Sequence, residues 1–414
     1  MAEAASTDFL VIGAGIVGAS CAAFLQREGF SVTLVDRDEP GLGCSFGNAG
    51  NFSVGGVAPN ALPGLPWRVP RMLANPLHPL HVDWRHFPAA LPYFWRFLNN
   101  SRRSRVEQIV PALHAILSRV FESYEMLLGA AKMADLIRRN GKLYTYETAE
   151  AFAGDQLKYE LQDRYGVRRE VLDGNAAREM EPALGPSVAK AVFWPDYGWT
   201  VSPHRLTTTI VEDFVRRNGI LRRDAVRGFE VGPNGPTRVL TAQGSITVDR
   251  VVIAAGIWSR ELAAELGTTV SMESERGYHL SMPNPGVKFS RTVMSYDRFI
   301  TITPMEEGLR VSGIGEFAGT RAKPRMELTE KVLHHARILV PGINSEGASR
   351  WMGERPSTPD SLPILGRSPR YPNVFFAFGH FGLTLGAVCG RLIGELAAGK
   401  PTTIDLKPYR ADRF

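Results

Sequence analysis

Gly13-Ala14-Gly15-Ile16-Val17-Gly18 places three glycines in the G-x-G-x-x-G spacing, and Asp36 follows 18 residues after the last of them. In that spacing the first glycine permits a tight turn. The second lets backbone approach a pyrophosphate, and the third lets a helix pack closely on a strand. An acidic side chain at the distance of Asp36 hydrogen-bonds ribose hydroxyls and repels a 2′-phosphate. The chemistry is dinucleotide binding, with Arg37 beside the acidic residue and the phosphates on a helix N-terminus. The pattern alone leaves open FAD and NAD.

These residues need a strand, a helix and a second strand to hold them. Phe9 to Ile12 is a short apolar run, Ile16 to Glu28 has Ala-rich helical spacing ending at Gly29, and Ser31 to Val35 reads as the next strand. That order within about 30 residues is the βαβ unit of a parallel sheet. Val251 to Ala255 is a second continuous apolar strand ending at Gly256, and Ser202-Pro203 caps a helix running to Asn218. From Val270 to Val311 strands and turns alternate, which predicts a second, mainly antiparallel sheet.

The fold expected is α/β: a Rossmann-like cofactor domain with a second, mainly antiparallel (α+β) cap that binds substrate. Residues 1–60, 200–268 and 346–414 are assigned to the first, 61–199 and 269–345 to the second. Residues 57–100 form an arm with eight prolines and three of the seven tryptophans, Trp67, Trp84 and Trp95. Prolines at that density exclude one long helix. The arm reads as loops and short helices packed over the cofactor domain, or as a membrane-surface patch.

Composition narrows the classes further. The 414 residues carry a net charge of +6 and 44% hydrophobic residues, with no apolar run near the roughly 18 residues of a membrane span. No basic stretch interleaved with stacking aromatics marks a nucleic-acid platform. Cys21, Cys44 and Cys389 are scattered without a C-x-x-C pair, and His78, His81, His86 and Asp83 share no periodicity, so neither a disulfide framework nor a metal site is expected. The polar opening from Met1 to Asp8 leaves no room for a leader segment. A cytoplasmic protein follows as the expectation, with peripheral contact at the inner face of a membrane as the alternative use of the arm.

Four further blocks follow in order: Gly43-Cys44-Ser45-Phe46-Gly47-Asn48-Ala49-Gly50, the strand ending Ala254-Ala255-Gly256-Ile257-Trp258, Gly353-Glu354-Arg355-Pro356, and Gly379-His380-Phe381-Gly382-Leu383-Thr384. With the glycine turn they make the chain resemble, over nearly its whole length, the D-amino-acid oxidase superfamily of FAD flavoproteins, nearest its bacterial D-amino-acid dehydrogenase and glycine-oxidase-like branch. The resemblance implies FAD held by Gly13 to Gly18, Asp36, Arg37, Ser45, Asn48, Ala49, Gly50, Val226, Ala254, Ala255, Gly256, Trp258, Gly353, Gly379, His380, Gly382, Leu383 and Thr384. Some relatives tether FAD through a histidine where this chain has Gly47, so a non-covalent cofactor is expected.

The same likeness makes Arg355 the anchor for a substrate carboxylate, because a guanidinium offers a bidentate fork. Tyr278 and His380 are the further substrate-binding candidates, and Arg276 and Tyr296 lesser ones. The activity implied is oxidation of a D-amino acid by hydride transfer from Cα–H to flavin N5, giving an imino acid and then a 2-oxo acid, with no protein base required. Secondary amines such as D-proline, hydroxy-D-proline or sarcosine are the alternative substrates, and a non-catalytic flavin subunit of an electron-transfer complex the alternative role. The electron acceptor is oxygen or a quinone.

Overall fold

The computed structural model describes residues 7–75 and 77–414. Residues 1–6 of the polar opening and Pro76 of the arm lie outside the described residues. Strand β1 (Thr7–Ile12), helix α1 (Ile16–Arg27) and strand β2 (Val32–Asp36) form the expected βαβ unit, within a residue or two of the sequence reading.

β1 is the centre of an eight-stranded sheet. It pairs in parallel with β2 on one side and with Gly244–Ile253 on the other, and Gly244–Ile253 pairs in parallel with Val374–Phe378. The register sets Val35 and Ile253 opposite Ile12, and Phe376 opposite Ile253. Ile220–Arg223 pairs in parallel with the outer side of β2, Arg223 opposite Asp36, so five parallel strands end together along one edge, the edge at which open α/β sheets bind ligands. The first half of the long Gly244–Ile253 strand turns to an antiparallel partner, Gly235–Thr241, which hairpins to Val226–Gly232.

Burial explains why these runs are strands. Phe9, Leu10, Val11, Val251, Val252 and Ile253 are fully buried, because α1 and the helix Gly382–Ala397 cover one face of the sheet and residues including Val239, Ile246, Ala263 and Leu266 cover the other. The helix Gly382–Ala397 packs on α1 through glycines four residues apart. A Cβ at Gly390 would stand 2.6 Å from the Ser20 carbonyl, so the two backbones approach as only glycine allows. Both helices start at the same sheet edge, and their N-termini face the same space.

The second sheet has nine strands, ordered Ser349–Ser357, Glu273–Met282, Gly308–Phe317, Ile300–Met305, Thr292–Ser295, Lys142–Tyr146, Lys190–Trp194 and Glu170–Asp173, with β4 (Leu80–Val82) beside Gly308–Phe317. Its pairings are antiparallel except for Thr292–Ser295 with Lys142–Tyr146 and β4 with Gly308–Phe317. Helix Leu328–Leu339 closes its core around Leu280, Val311 and Val332. A two-residue strand, β3 (Asn51–Phe52), pairs with Gly198–Thr200 in a third, small sheet. The strand Ser349–Ser357, which carries Arg355, joins the second sheet, whereas the sequence reading had placed 346–414 with the first.

The arm folds as α2 (Leu65–Ala74) and α3 (Phe87–Asn100), each with an internal proline, linked through β4. Pro70 and Pro92 lie inside these helices, and the arm forms two helices rather than one long one, as the proline density predicts.

Candidate functional site

A cavity of about 600 Å³ opens where the parallel strands end. Ile12 and Gly13 of the β1 turn, Val35 and Asp36 of β2, Ala254 to Trp258 after the middle strand, and Ala377 to Leu383 before the last helix all line it.

At one end Asp36, Arg37, Asp38, Asp224, Val226, Arg227 and Trp258 form the wall, and the Arg37 guanidinium lies 4.1 Å over the Trp258 ring. The Asp36 carboxylate accepts from the Ala14 N–H at 2.6 Å and the Asp38 N–H at 3.0 Å, so it braces the glycine turn as well as facing the cavity. Burial raises its pKa, and those two hydrogen bonds oppose the shift.

The turn itself is built for close approach. Gly13 has φ +107°, and a Cβ there would stand 2.5 Å from the Ala254 carbonyl oxygen. Gly18 packs against the Gly13 carbonyl, as its place in the motif requires. Ser45 accepts from the Ile16 N–H at 3.0 Å and brings the small-residue loop against the start of α1. Gly43 and Gly256 line the cavity with nothing within 4 Å of where a Cβ would sit. A helix N-terminus, an acidic residue one strand over and bare backbone along the wall fit the pyrophosphate and adenosine of a dinucleotide.

Arg310 escaped the sequence reading. Buried in the second sheet, its guanidinium donates to the Phe46 and Asn48 carbonyls at 2.8 Å each and clamps the cofactor-side loop to the substrate-side sheet. Asp224 and Arg227, also on the wall, were missed too. None of these lies in a recognisable local motif.

The other end of the cavity holds Cys44, Glu354, Arg355, Pro356 and His380. Arg355 Nη1 donates to Glu275 Oε1 at 2.9 Å, and the guanidinium lies over Gly277, where a side chain would collide with it. His380 Nε2 meets the Asn60 side-chain amide at 2.9 Å, which makes that nitrogen the acceptor of a neutral ring. Burial lowers the His380 pKa, the Glu275 charge opposes the shift and the Arg355 charge adds to it. Burial pushes the Cys44 thiol up to about 11, so it stays protonated.

Most of the expected cofactor residues stand on the cavity wall: Gly13, Gly15, Ile16, Val17, Asp36, Arg37, Ser45, Asn48, Val226, Ala254, Ala255, Gly256, Trp258, Gly379, His380, Gly382 and Leu383. Ala14, Gly18, Ala49, Gly50, Gly353 and Thr384 stand behind it. Ala49 accepts from Thr303 at 2.7 Å, Thr384 donates to the Asn51 carbonyl at 3.1 Å, and Gly353 makes room for the Trp351 ring.

Tyr278 is not on the wall. It is 1% exposed, donates to Glu316 at 2.5 Å and accepts from the Arg325 N–H at 3.2 Å. Strand parity is the reason: along Glu273–Met282 side chains alternate, so Glu275 and Gly277 meet Arg355 while Arg276 and Tyr278 turn to Glu316. Arg276 is likewise buried, between Glu316 and Glu354. Tyr296 accepts from Arg68 at 2.9 Å beneath the arm, away from the cavity. The arm histidines take separate partners: His78 accepts from the Leu80 N–H, His81 meets Lys331 and His86 meets Glu273.

Comparison with known proteins agrees with this geometry. The family described as FAD dependent oxidoreductase (DAO) matches residues 8–396. Across 98% of both chains the sequence is 34% identical to D-amino-acid oxidase of Bradyrhizobium diazoefficiens and 29% identical to D-amino acid dehydrogenase of Paramagnetospirillum magneticum. The fold is similar to that of glycine oxidase from Bacillus cereus, with TM-score 0.72 and 21% identity over 99% of both chains. It is also similar to that of L-proline dehydrogenase from P. horikoshii, with TM-score 0.76 and 20% identity over 100% of this chain and 98% of the other. Family, fold and cavity converge: the chain belongs to the DAO family of FAD dependent oxidoreductases, and FAD is its cofactor.

Proposed function

We propose that the chain oxidises the Cα–N bond of an amino acid, a D-amino acid or a secondary amino acid, to an imino acid that water hydrolyses to a 2-oxo acid. The observation that carries this reading is the Arg355 guanidinium on the cavity wall, beside His380 and the N-terminus of Gly382–Ala397. A fork of donors at that place recognises a carboxylate. The names of the relatives, D-amino-acid oxidase and D-amino acid dehydrogenase, support the substrate class.

FAD, when bound, supplies the acceptor for the hydride that leaves Cα. The protein's part is positioning and electrostatics. Arg355 holds the carboxylate and so fixes the Cα–H, which converts a chance encounter into an oriented one. Neutral His380 adds no positive charge against the substrate's amine, which must be unprotonated when the hydride leaves. The helix starting at Gly382 points its positive end at the cavity, where it stabilises negative charge.

The electrons pass on to oxygen or to a quinone. Residence in the cytoplasm fits three free cysteines, two of them buried. A panel of D-, L- and N-substituted amino acids, scored by anaerobic bleaching of the bound flavin, tests the substrate class. Hydrogen peroxide yield against quinone reduction then identifies the acceptor. Bleaching by no amino acid would sink the reading.

A further inference from the structure

Charge is distributed unevenly along this chain. The arm, residues 57–100, holds four arginines, no lysine and a single acidic residue, Asp83. Its surplus of three is half of the net charge of the whole protein, +6, on about a tenth of the 414 residues. Concentrated basic charge on one segment attracts an anionic surface within about 10 Å.

The same segment carries the exposed tryptophans. Trp67, Trp84 and Trp95 are 85%, 64% and 72% exposed, whereas Trp194 and Trp199 are buried and Trp258 and Trp351 half-buried. Each exposed tryptophan is followed directly by an exposed arginine: Arg68, Arg85 and Arg96. Indole next to guanidinium is the pairing that suits a lipid headgroup region, where the ring sits between tails and water and the cation meets phosphate.

Helix α3 strengthens the case. Its inner side packs Tyr93 and Phe94 on Phe317, with Phe94 at 5.0 Å between ring centres. Its outer side exposes Pro88, Ala89, Leu91, Pro92 and Trp95, with no charge before Arg96. A helix apolar on both sides needs a second apolar neighbour. Fourteen residues are too few to span a bilayer, which takes about 20, and no helix among the described residues is long and apolar enough to cross one.

We infer that the arm formed by α2 and α3 docks the protein on the surface of an anionic phospholipid bilayer, through Trp67, Trp84 and Trp95 with Arg68, Arg85 and Arg96. The arm is tied to the body near the cavity: Asn60 to His380 at 2.9 Å, Tyr93 to Ser357 at 2.9 Å and His86 to Glu273 at 3.1 Å. A docked arm therefore holds the substrate end of the cavity close to the membrane. The inference is independent of which amino acid is oxidised.

The test is co-sedimentation of the full-length FAD-loaded protein with vesicles of phosphatidylcholine alone and of phosphatidylcholine with phosphatidylglycerol. Wild type should pellet with the anionic vesicles only, and salt should weaken the binding. Arg85→Ala/Arg96→Ala should lower partitioning about fivefold for each arginine removed, and Trp67→Ser/Trp95→Ser by about tenfold or more. Both double variants should keep wild-type FAD content, which reports an intact fold. Absence of binding, or equal binding to neutral and anionic vesicles, would overturn the inference. So would concentration-dependent dimerisation abolished by the tryptophan variant without vesicle binding, since the face would then belong to a second copy.

Discussion

Arg355 donates to Glu275 across 2.9 Å at the substrate end of the cavity, from the edge strand of the second sheet to its neighbour. The pair presents one positive and one negative group side by side, with Gly277 and Gly315 leaving room for both. An amino acid zwitterion presents the same two charges in reverse. Both partners are partly exposed, at 41% and 20% of the side chain, so the bridge between them is weak and a substrate can compete for it.

Replacing the anchor should cost transition-state binding. Arg355→Ala is expected to raise KM strongly and lower kcat/KM by about 2–4 kcal/mol, roughly thirty- to a thousand-fold, the range for a charged hydrogen bond in a cavity. Arg355→Lys should recover only part of this, since an ammonium lacks the planar fork. Steady-state kinetics on the best substrate checks both.

Removing the neighbouring charge separates recognition of the amine from orientation of the guanidinium. In Glu275→Gln an amino acid should bind about tenfold more weakly, while a simple carboxylate inhibitor binds at least as well as to wild type. Equal weakening of both ligands would show that Glu275 only orients Arg355. Inhibition constants measured side by side decide.

The glycine turn should fail through contact rather than through backbone strain alone. Gly13 and Gly29 both have positive φ, +107° and +92°, but only at Gly13 does a Cβ meet backbone. Gly13→Ala should lose most of its bound flavin, whereas Gly29→Ala, costing about 1 kcal/mol of stability, should keep it. Flavin absorbance per chain after purification reads the difference.

His279 makes acid stability a further check. Burial, with the Arg310 charge adding to it, pushes the imidazole from 6.5 down to about 3 while it donates to the Gly47 carbonyl at 3.1 Å. Between those values the unfolded chain binds a proton that the native state does not. Stability should therefore fall as pH drops below 6.5, with a slope from this group of up to about 1.4 kcal/mol per pH unit, and be unaffected by it above. Denaturant midpoints of His279→Gln between pH 7 and 4.5 should fall less steeply than those of wild type, whatever their absolute level.

Local signals were readable in the sequence and pairing was not. The βαβ unit, the Ser202 cap, whose hydroxyl accepts from the Arg205 N–H at 3.2 Å, and the proline-broken arm each follow from residues within a few positions of one another. Strand Ser349–Ser357 joined the second sheet because its partner is Glu273–Met282, some 80 positions away, and nothing local announces that register. Tyr278 was placed toward the substrate by the family likeness, which says nothing of which face of its strand the ring takes. Only the parity of the strand shows that Glu275 faces Arg355 instead. Arg310 was missed for the same reason: its partners, Phe46 and Asn48, lie about 260 positions away.

The most direct test of the central claim is anaerobic titration of the FAD-loaded protein with D-amino acids and secondary amino acids, followed by flavin absorbance, in wild type and Arg355→Ala. The account predicts full bleaching of wild type by at least one of these compounds, with a much higher concentration needed in the variant. A flavin that dithionite reduces but no amino acid does, or a variant that bleaches as readily as wild type, would contradict it.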